Sequence, residues 1–245
     1  LNIKMSAQEI IKQRLAAWQI TPAKSMGQNF LVDAAVYAKL VATLAPSANE
    51  SVIEIGPGLG TLTEILAQTA MALTAIEKDD EMVIGLRQLF TGNTHITIVH
   101  SDILQYNIAD TGVTAGAYSV IGNIPYYLTG KLLRVIMGTW PRPRRIVFMV
   151  QREVGERITA RPPDMSMLAV AVQLYGTARI AAFVPAQAFA PRPTVNSCII
   201  VIDPAGTEPP AEIKAILRTA KAGFSRKRGQ LINTLTAGLA RPKES

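Results

Sequence analysis

Cysteine and histidine are nearly absent from this chain. One cysteine in 245 residues excludes a disulfide framework, and the apolar run around Cys198 suits a core thiol. The two histidines, His95 and His100, flank a short strand-like run without metal-ligand company, so no metal site is expected. No apolar stretch reaches the length of a membrane span and there is no secretory signal, so a cytoplasmic protein that does not engage a membrane is expected. Acidic residues are the minority, 18 against 25 Lys and Arg, for a net charge of +7. That bias, with a pI near 9.7, points to an anionic partner, nucleic acid first. What the chain does have is apolar residues, 49% of the total, enough for a sizeable core in one large domain or one large and one small.

Apolar runs and helical spacings alternate along the sequence. A helix is expected over 7–18, then a polar loop, Thr21 to Leu31, leading into a helix over 33–45. Strands follow at 51–55, 71–77, 95–99, 117–122 and 145–150, with helices at 61–70, 79–90 and 128–138 between them. Near-continuous apolar strands separated by helices imply a parallel sheet covered on both faces. Helical material over 151–160 and 165–174 precedes two further strands, 179–184 and 197–202, whose hairpin would add one antiparallel strand. The expected fold is α/β: a Rossmann-like, doubly wound, mostly parallel sheet with a late antiparallel strand, plus a small C-terminal helical appendage. The Pro- and Gly-bearing stretch Asp203 to Pro210 reads as a linker. It divides a domain over 1–203 from a basic appendage over 204–245.

Two motifs lie at strand ends, where open α/β sheets bind ligands. Glu54-Ile55-Gly56-Pro57-Gly58-Leu59-Gly60 closes one strand and opens a helix, and Glu77 ends the next strand 17 residues after Gly60. Glycines let a ligand approach the main chain, and a carboxylate at that tip can hold a ribose diol. The spacing is Gly-x-Gly-x-Gly, which argues for a nucleoside without a pyrophosphate and against NAD. The bland reading is a tight turn with a solvated acid. Gly122-Asn123-Ile124-Pro125-Tyr126-Tyr127 follows another apolar strand. It offers an amide, a carbonyl before proline and two rings, a set that suits a flat base with an amino edge. Its bland reading is a strand end and a proline turn. In the appendage, Arg226, Lys227 and Arg228 are candidates for phosphate contacts, with Arg142, Arg144 and Arg145 as the other possible track.

Taken in order, these motifs resemble the small-subunit ribosomal RNA adenine N6,N6-dimethyltransferases. Those that match are Gly27-Gln28-Asn29-Phe30-Leu31, the glycine run through Thr63, Glu77, Asp102-Ile103-Leu104, Asn123 to Tyr127, Gln151-Arg152-Glu153-Val154 and Phe189 to Ser197. The resemblance runs from Ser25 to about Leu235. It implies S-adenosylmethionine as cofactor, bordered by Gln28, Asn29, Leu31, Gly56, Gly58, Glu77, Lys78, Asp102, Ile103 and Asn123. Within that set Glu77 would hold the ribose and Asp102 the cofactor's adenine amine. Asn123 and Ile124 would face the target amine next to Pro125, and Tyr126 and Phe189 would stack on the target base. The bland alternatives are a helix cap for Asn29, a turn for Asp102 and a core ring for Phe189. The implied reaction is dimethylation of two adjacent adenosines in a small-subunit rRNA hairpin during ribosome maturation. The implied enzyme is a monomer whose partner is small-subunit rRNA or an immature particle. In the family the helical appendage continues well past the position of Leu235; here ten residues remain, so a shortened appendage is expected. The rival readings are a large-subunit adenine methylase conferring macrolide resistance and an RNA-binding assembly factor with incidental catalysis.

Overall fold

The computed structural model describes residues 6–22, 29–125, 127–206, 212–225 and 230–239, apart from the side chain of Lys214. Helix α1 (Ala7–Ala17) starts at a reciprocal cap in which Ser6 accepts from Glu9 N–H and Glu9 accepts from Ser6 N–H. Helix α2 (Ala34–Leu44) is capped by the Asp33 carboxylate, not by Asn29. The chain then winds through β2 (Ser51–Ile55), α3 (Thr61–Leu66), β3 (Ala72–Glu77), α4 (Asp80–Leu89), β4 (Ile96–His100), β5 (Tyr118–Asn123), α5 (Thr129–Thr139) and β6 (Arg145–Gln151). Helices α6 (Arg152–Thr159) and α7 (Met167–Tyr175) precede β7 (Gly176–Val184) and β9 (Ser197–Pro204). The pair α8 (Ile213–Gly223) and α9 (Leu231–Leu239) closes the described chain.

Seven strands form one sheet in the order β4-β3-β2-β5-β6-β9-β7. Strand β9 runs antiparallel to both neighbours, so it is the single reversed strand that the hairpin implied. The central strands β2, β5, β6 and β9 are mostly buried because helices cover both faces, whereas the edge strands β4 and β7 are not. Leu132, Leu133, Ile136, Ile158 and Val172 of α5–α7 fill the core on one face. Tyr37, Leu40, Leu44, Leu62 and Leu66 of α2 and α3 fill it on the other.

Three features depart from the expectations. Two residues of the polar loop form strand β1 (Phe30–Leu31), which pairs with β8 (Phe189–Ala190). Helix α3 ends at Leu66, four residues early, where Ala67 to Ala70 close as turns. The arginines of the second possible RNA track are structural. Arg142 is buried, donates to the Ala205 carbonyl and lies 4.6 Å over the Tyr175 ring. Arg144 pairs with buried Glu50 at 2.9 Å, and Arg145 pairs with Asp203 at 2.6 Å. These guanidiniums lock the amino ends of β5 and β6, so they are withdrawn as a nucleic-acid track.

Candidate active site

A cleft of about 360 Å³ opens at the carboxyl ends of β2, β3 and β5. Strand β2 has β3 on one side and β5 on the other, so the cleft sits where the winding reverses. Its floor is the glycine run. Gly56 and Gly58 have φ of +66° and +57°, values that L side chains rarely adopt. A Cβ at either would meet nothing closer than 3.5 Å, so the main chain there lies bare to a ligand. Gly60 shares the positive φ, at +78°, and is more crowded: a Cβ would fall 2.8 Å from the end of the Leu86 side chain.

Glu77 lines the cleft at the tip of β3. Its carboxylate accepts from the N–H groups of Gly58 at 3.1 Å, Lys78 at 2.7 Å and Asp79 at 3.0 Å. Burial pushes its pKa above the ordinary value, against those three bonds. Glu77 therefore clamps the glycine run to β3. Asp102 accepts from Leu104 N–H at 3.0 Å, which is a turn, and from Lys78 Nζ at 2.8 Å. Asp102 therefore closes a turn, as its bland reading had it, and also lines the cleft. The Lys78 ammonium holds its carboxyl below the usual range. Their ion pair spans the crevice from β3 to the turn after β4, beside Ile103 and Leu104.

At the end of β5, Asn123 Nδ2 donates to the Asn29 carbonyl at 3.2 Å, which fixes the amide and leaves Oδ1 as an acceptor. The Ile124 side chain is buried, and its N–H donates to the Met149 carbonyl at 3.1 Å. Asn29, Leu31, Pro125, Tyr127 and Lys131 complete the wall. Leu31 is held by Tyr37, whose hydroxyl donates to its carbonyl at 2.8 Å.

Phe189 requires a correction. Its ring is 4% exposed and packs in the core beneath β1, outside the cleft lining, so it cannot stack on a base in this arrangement. The pairing of Leu31 with Phe189 draws the ring inward, and the core reading stands. Gln28, Tyr126, Arg226, Lys227 and Arg228 lie outside the described residues.

Glu54 is a site residue that the motifs did not single out. It is 1% exposed, lines the cleft, and its Oε2 has no hydrogen-bond partner among the described residues. Among the described residues the buried hydroxyls of Thr61 and Thr63 also lack partners of good geometry. Burial, with the negative charge of Glu77 behind it, pushes the Glu54 carboxyl up to about 8, while the Thr63 hydroxyl pulls the other way. The available signal was a carboxylate inside an otherwise apolar strand.

The donor set suits a cationic nucleoside. Asp102 would repel phosphates, Glu54 and Glu77 would favour a cation that helps them ionise, and Ile76 and Ile103 can flank a purine. S-adenosylmethionine, with its sulfonium, ammonium, ribose and adenine, fits that lining.

Comparison with known proteins agrees. Residues 21–243 match the family model described as ribosomal RNA adenine dimethylase. A ribosomal RNA small subunit methyltransferase A of Dehalococcoides mccartyi is 35% identical over 93% of this chain and 79% of its own. One from Streptococcus sanguinis is 37% identical over 91% of this chain and 79% of its own. The fold is that of a dimethyladenosine transferase from Plasmodium falciparum, with a TM-score of 0.74 at 24% identity over 84% of this chain and 74% of that one. It is equally that of the 23S rRNA methyltransferase ErmE, with a TM-score of 0.72 at 24% identity over 85% and 84%. With the match covering nearly the whole chain and the cleft built as it is, the chain belongs to the ribosomal RNA adenine dimethylase family.

Proposed function

We propose that this chain transfers methyl groups from S-adenosylmethionine to N6 of two adjacent adenosines in a small-subunit rRNA hairpin, in the course of ribosome maturation. The observation that carries the reading is one cleft holding a bare glycine floor, an acidic wall and the Asn123–Pro125 strand end. The relatives named as small-subunit methyltransferases support the choice of substrate. Residues 1–203 would form the methyltransferase domain and 204–245 a small basic appendage. The enzyme would act as a monomer in the cytoplasm, on the rRNA or an immature particle; no described helix is long and apolar enough to cross a membrane.

Bound in the cleft, S-adenosylmethionine supplies a methyl group on a sulfonium that is already a good leaving group. The protein's contribution is position and polarity. Glu77 and the main chain at Gly56 and Gly58 would hold the ribose side, Asp102 the adenine edge and Glu54 the cationic end. Asn123 Oδ1 and the Ile124 carbonyl would accept the two N–H bonds of the target amine. That favours a pyramidal nitrogen whose lone pair is free. The bond from Asn123 Nδ2 to Asn29 keeps the amide from turning away. Positive charge grows on the nitrogen as the bond forms, and oriented acceptors stabilise it without reorganisation. The proton then passes to water, so no strong base is required.

The test is methyl transfer from labelled cofactor to purified small and large subunits that lack the modification, with the modified base mapped. Two dimethylated neighbouring adenosines in the small subunit are expected. Label confined to large-subunit RNA would replace this reading with the macrolide-resistance one. A Glu77 or Asn123 variant that still performs the biological task without methylation would favour the assembly-factor reading.

A further inference from the structure

Helix α1 reaches the cleft from outside the sheet. Its residues Ile11, Leu15 and Trp18 recur at helical spacing and form one inward stripe. Ile11 is 2% exposed and lines the cleft, and it shares a core cluster with Leu59 of the glycine run and Met82 of α4. Trp18 seats the far end of α1 against α4: a Cβ at Gly85 would fall 2.2 to 2.5 Å from three atoms of its ring.

One residue beside that stripe is charged. The Arg14 side chain is 13% exposed, and its guanidinium forks. Nη1 donates to the Leu59 carbonyl at 2.7 Å, and Nη2 pairs with the Glu64 carboxylate at 2.6 Å. The two acceptors stand on either side of Gly60, where the glycine run passes into the first turn of α3. Gly60 has no side chain to cap that helix. The run's own main-chain bonds serve other ends. Gly56 N–H donates to the Ile76 carbonyl at 3.0 Å and Gly58 N–H to Glu77, which tie the run to β3; Gly60 N–H donates to the Pro57 carbonyl at 3.0 Å, within the run. Arg14 adds a hold from an element 45 residues away.

We infer that Arg14 is a positioning residue for the cofactor: by tying the Leu59 carbonyl to the first turn of α3, it presets the glycine run in the shape that S-adenosylmethionine meets. The inference rests on the S-adenosylmethionine reading of the cleft and adds a residue outside it. Arg14 does not line the cleft, so it acts through the loop. Three glycines at positive φ leave such a turn many alternative shapes. A guanidinium reaches two acceptors at once in a rigid fork, which a lysine ammonium does not reproduce. A ligand that finds the turn already formed is spared the entropy of ordering it.

Three variants separate the loop bond from the mere seating of α1: Arg14→Met, Arg14→Lys and Trp18→Leu. The last loosens α1 from α4 and leaves the bond to Leu59 in place. For each, S-adenosylmethionine affinity is measured by calorimetry, kcat by methyl transfer to unmodified small subunits at saturating cofactor, and stability by melting temperature. Losing a bond from a charged donor lowers the fraction of chains whose loop is competent, and apparent affinity falls by that fraction. Arg14→Met is expected to bind the cofactor about tenfold or more weakly with kcat near wild type, and Arg14→Lys to lose less. Arg14→Lys, which keeps a cation beside Glu64, stands in if Arg14→Met does not fold. Trp18→Leu should lower the melting temperature at least as much and keep affinity near wild type. Unchanged affinity in the folded Arg14 variants, a fall in kcat without one in affinity, or an equal affinity loss in Trp18→Leu would overturn the inference. A wild-type chain that binds no S-adenosylmethionine would instead overturn the reading of the cleft beneath it.

Discussion

Replacing Glu54 by glutamine should make the protein more stable at neutral and alkaline pH. Glu54 is 1% exposed with an unpartnered oxygen, and its carboxyl sits at about 8 against an ordinary value of 4.5. Below the ordinary value both folded and unfolded chains hold the proton, and stability is indifferent to it. Above that value the unfolded chain ionises while the folded chain keeps its proton. Stability therefore falls as pH rises, and the loss is complete once pH passes the folded value. At about 1.4 kcal/mol per unit, the loss between pH 5 and pH 8 comes to about 3 kcal/mol. Glutamine has nearly the same shape and no proton to release. Urea unfolding at pH 5, 6, 7 and 8 should show the wild type losing stability across the window and Glu54→Gln losing markedly less. Glu77, also raised by burial, gives both proteins a residual slope in the same direction. Parallel profiles would refute the argument, because they would mean that Glu54 is ionised in the folded chain or reaches water. In the same variant S-adenosylmethionine affinity should fall about tenfold or more above pH 8, where the wild-type Glu54 carboxyl is ionised and can pair with the cationic end while glutamine cannot.

Glu77→Gln should weaken S-adenosylmethionine by roughly ten- to a hundredfold in calorimetry, through loss of a charged hydrogen-bond acceptor; unchanged affinity would remove Glu77 from the cofactor wall. Asn123→Ala should slow single-turnover methyl transfer by about 10²-fold or more while affecting cofactor affinity less, and a rate near wild type would mean that the amide is not the target's acceptor. Phe189→Ala, if the ring is a core element, should cost about 3–5 kcal/mol in denaturant unfolding. Phe189→Leu should keep the single-turnover rate, and a collapse of that rate in a well-folded Phe189→Leu chain would restore the stacking role.

The alternation of apolar runs with helical spacings was enough to specify a parallel, doubly wound sheet, because burial on both faces is written into each strand separately. The glycines at 56 and 58 and the carboxylate at 77 were legible for the same reason: a tight turn at a strand end is a local demand. Long-range partnership was not legible. Phe30 and Leu31 pair with residues about 160 positions later, so nothing near them marks a strand. That pairing decided the fate of Phe189, whose ring is equally plausible on a cleft wall or in a core until its neighbours are known. Arg142, Arg144 and Arg145 look like a phosphate track in one dimension, and only the fold brings Glu50 and Asp203 against two of them and the Tyr175 ring against the third. The proton held by Glu54 is likewise a property of depth, since the same carboxylate in water would ionise near its ordinary value. Sequence determines which groups seek burial or charge; tertiary structure decides what they meet, because contact and dielectric depend on distance in space and not along the chain.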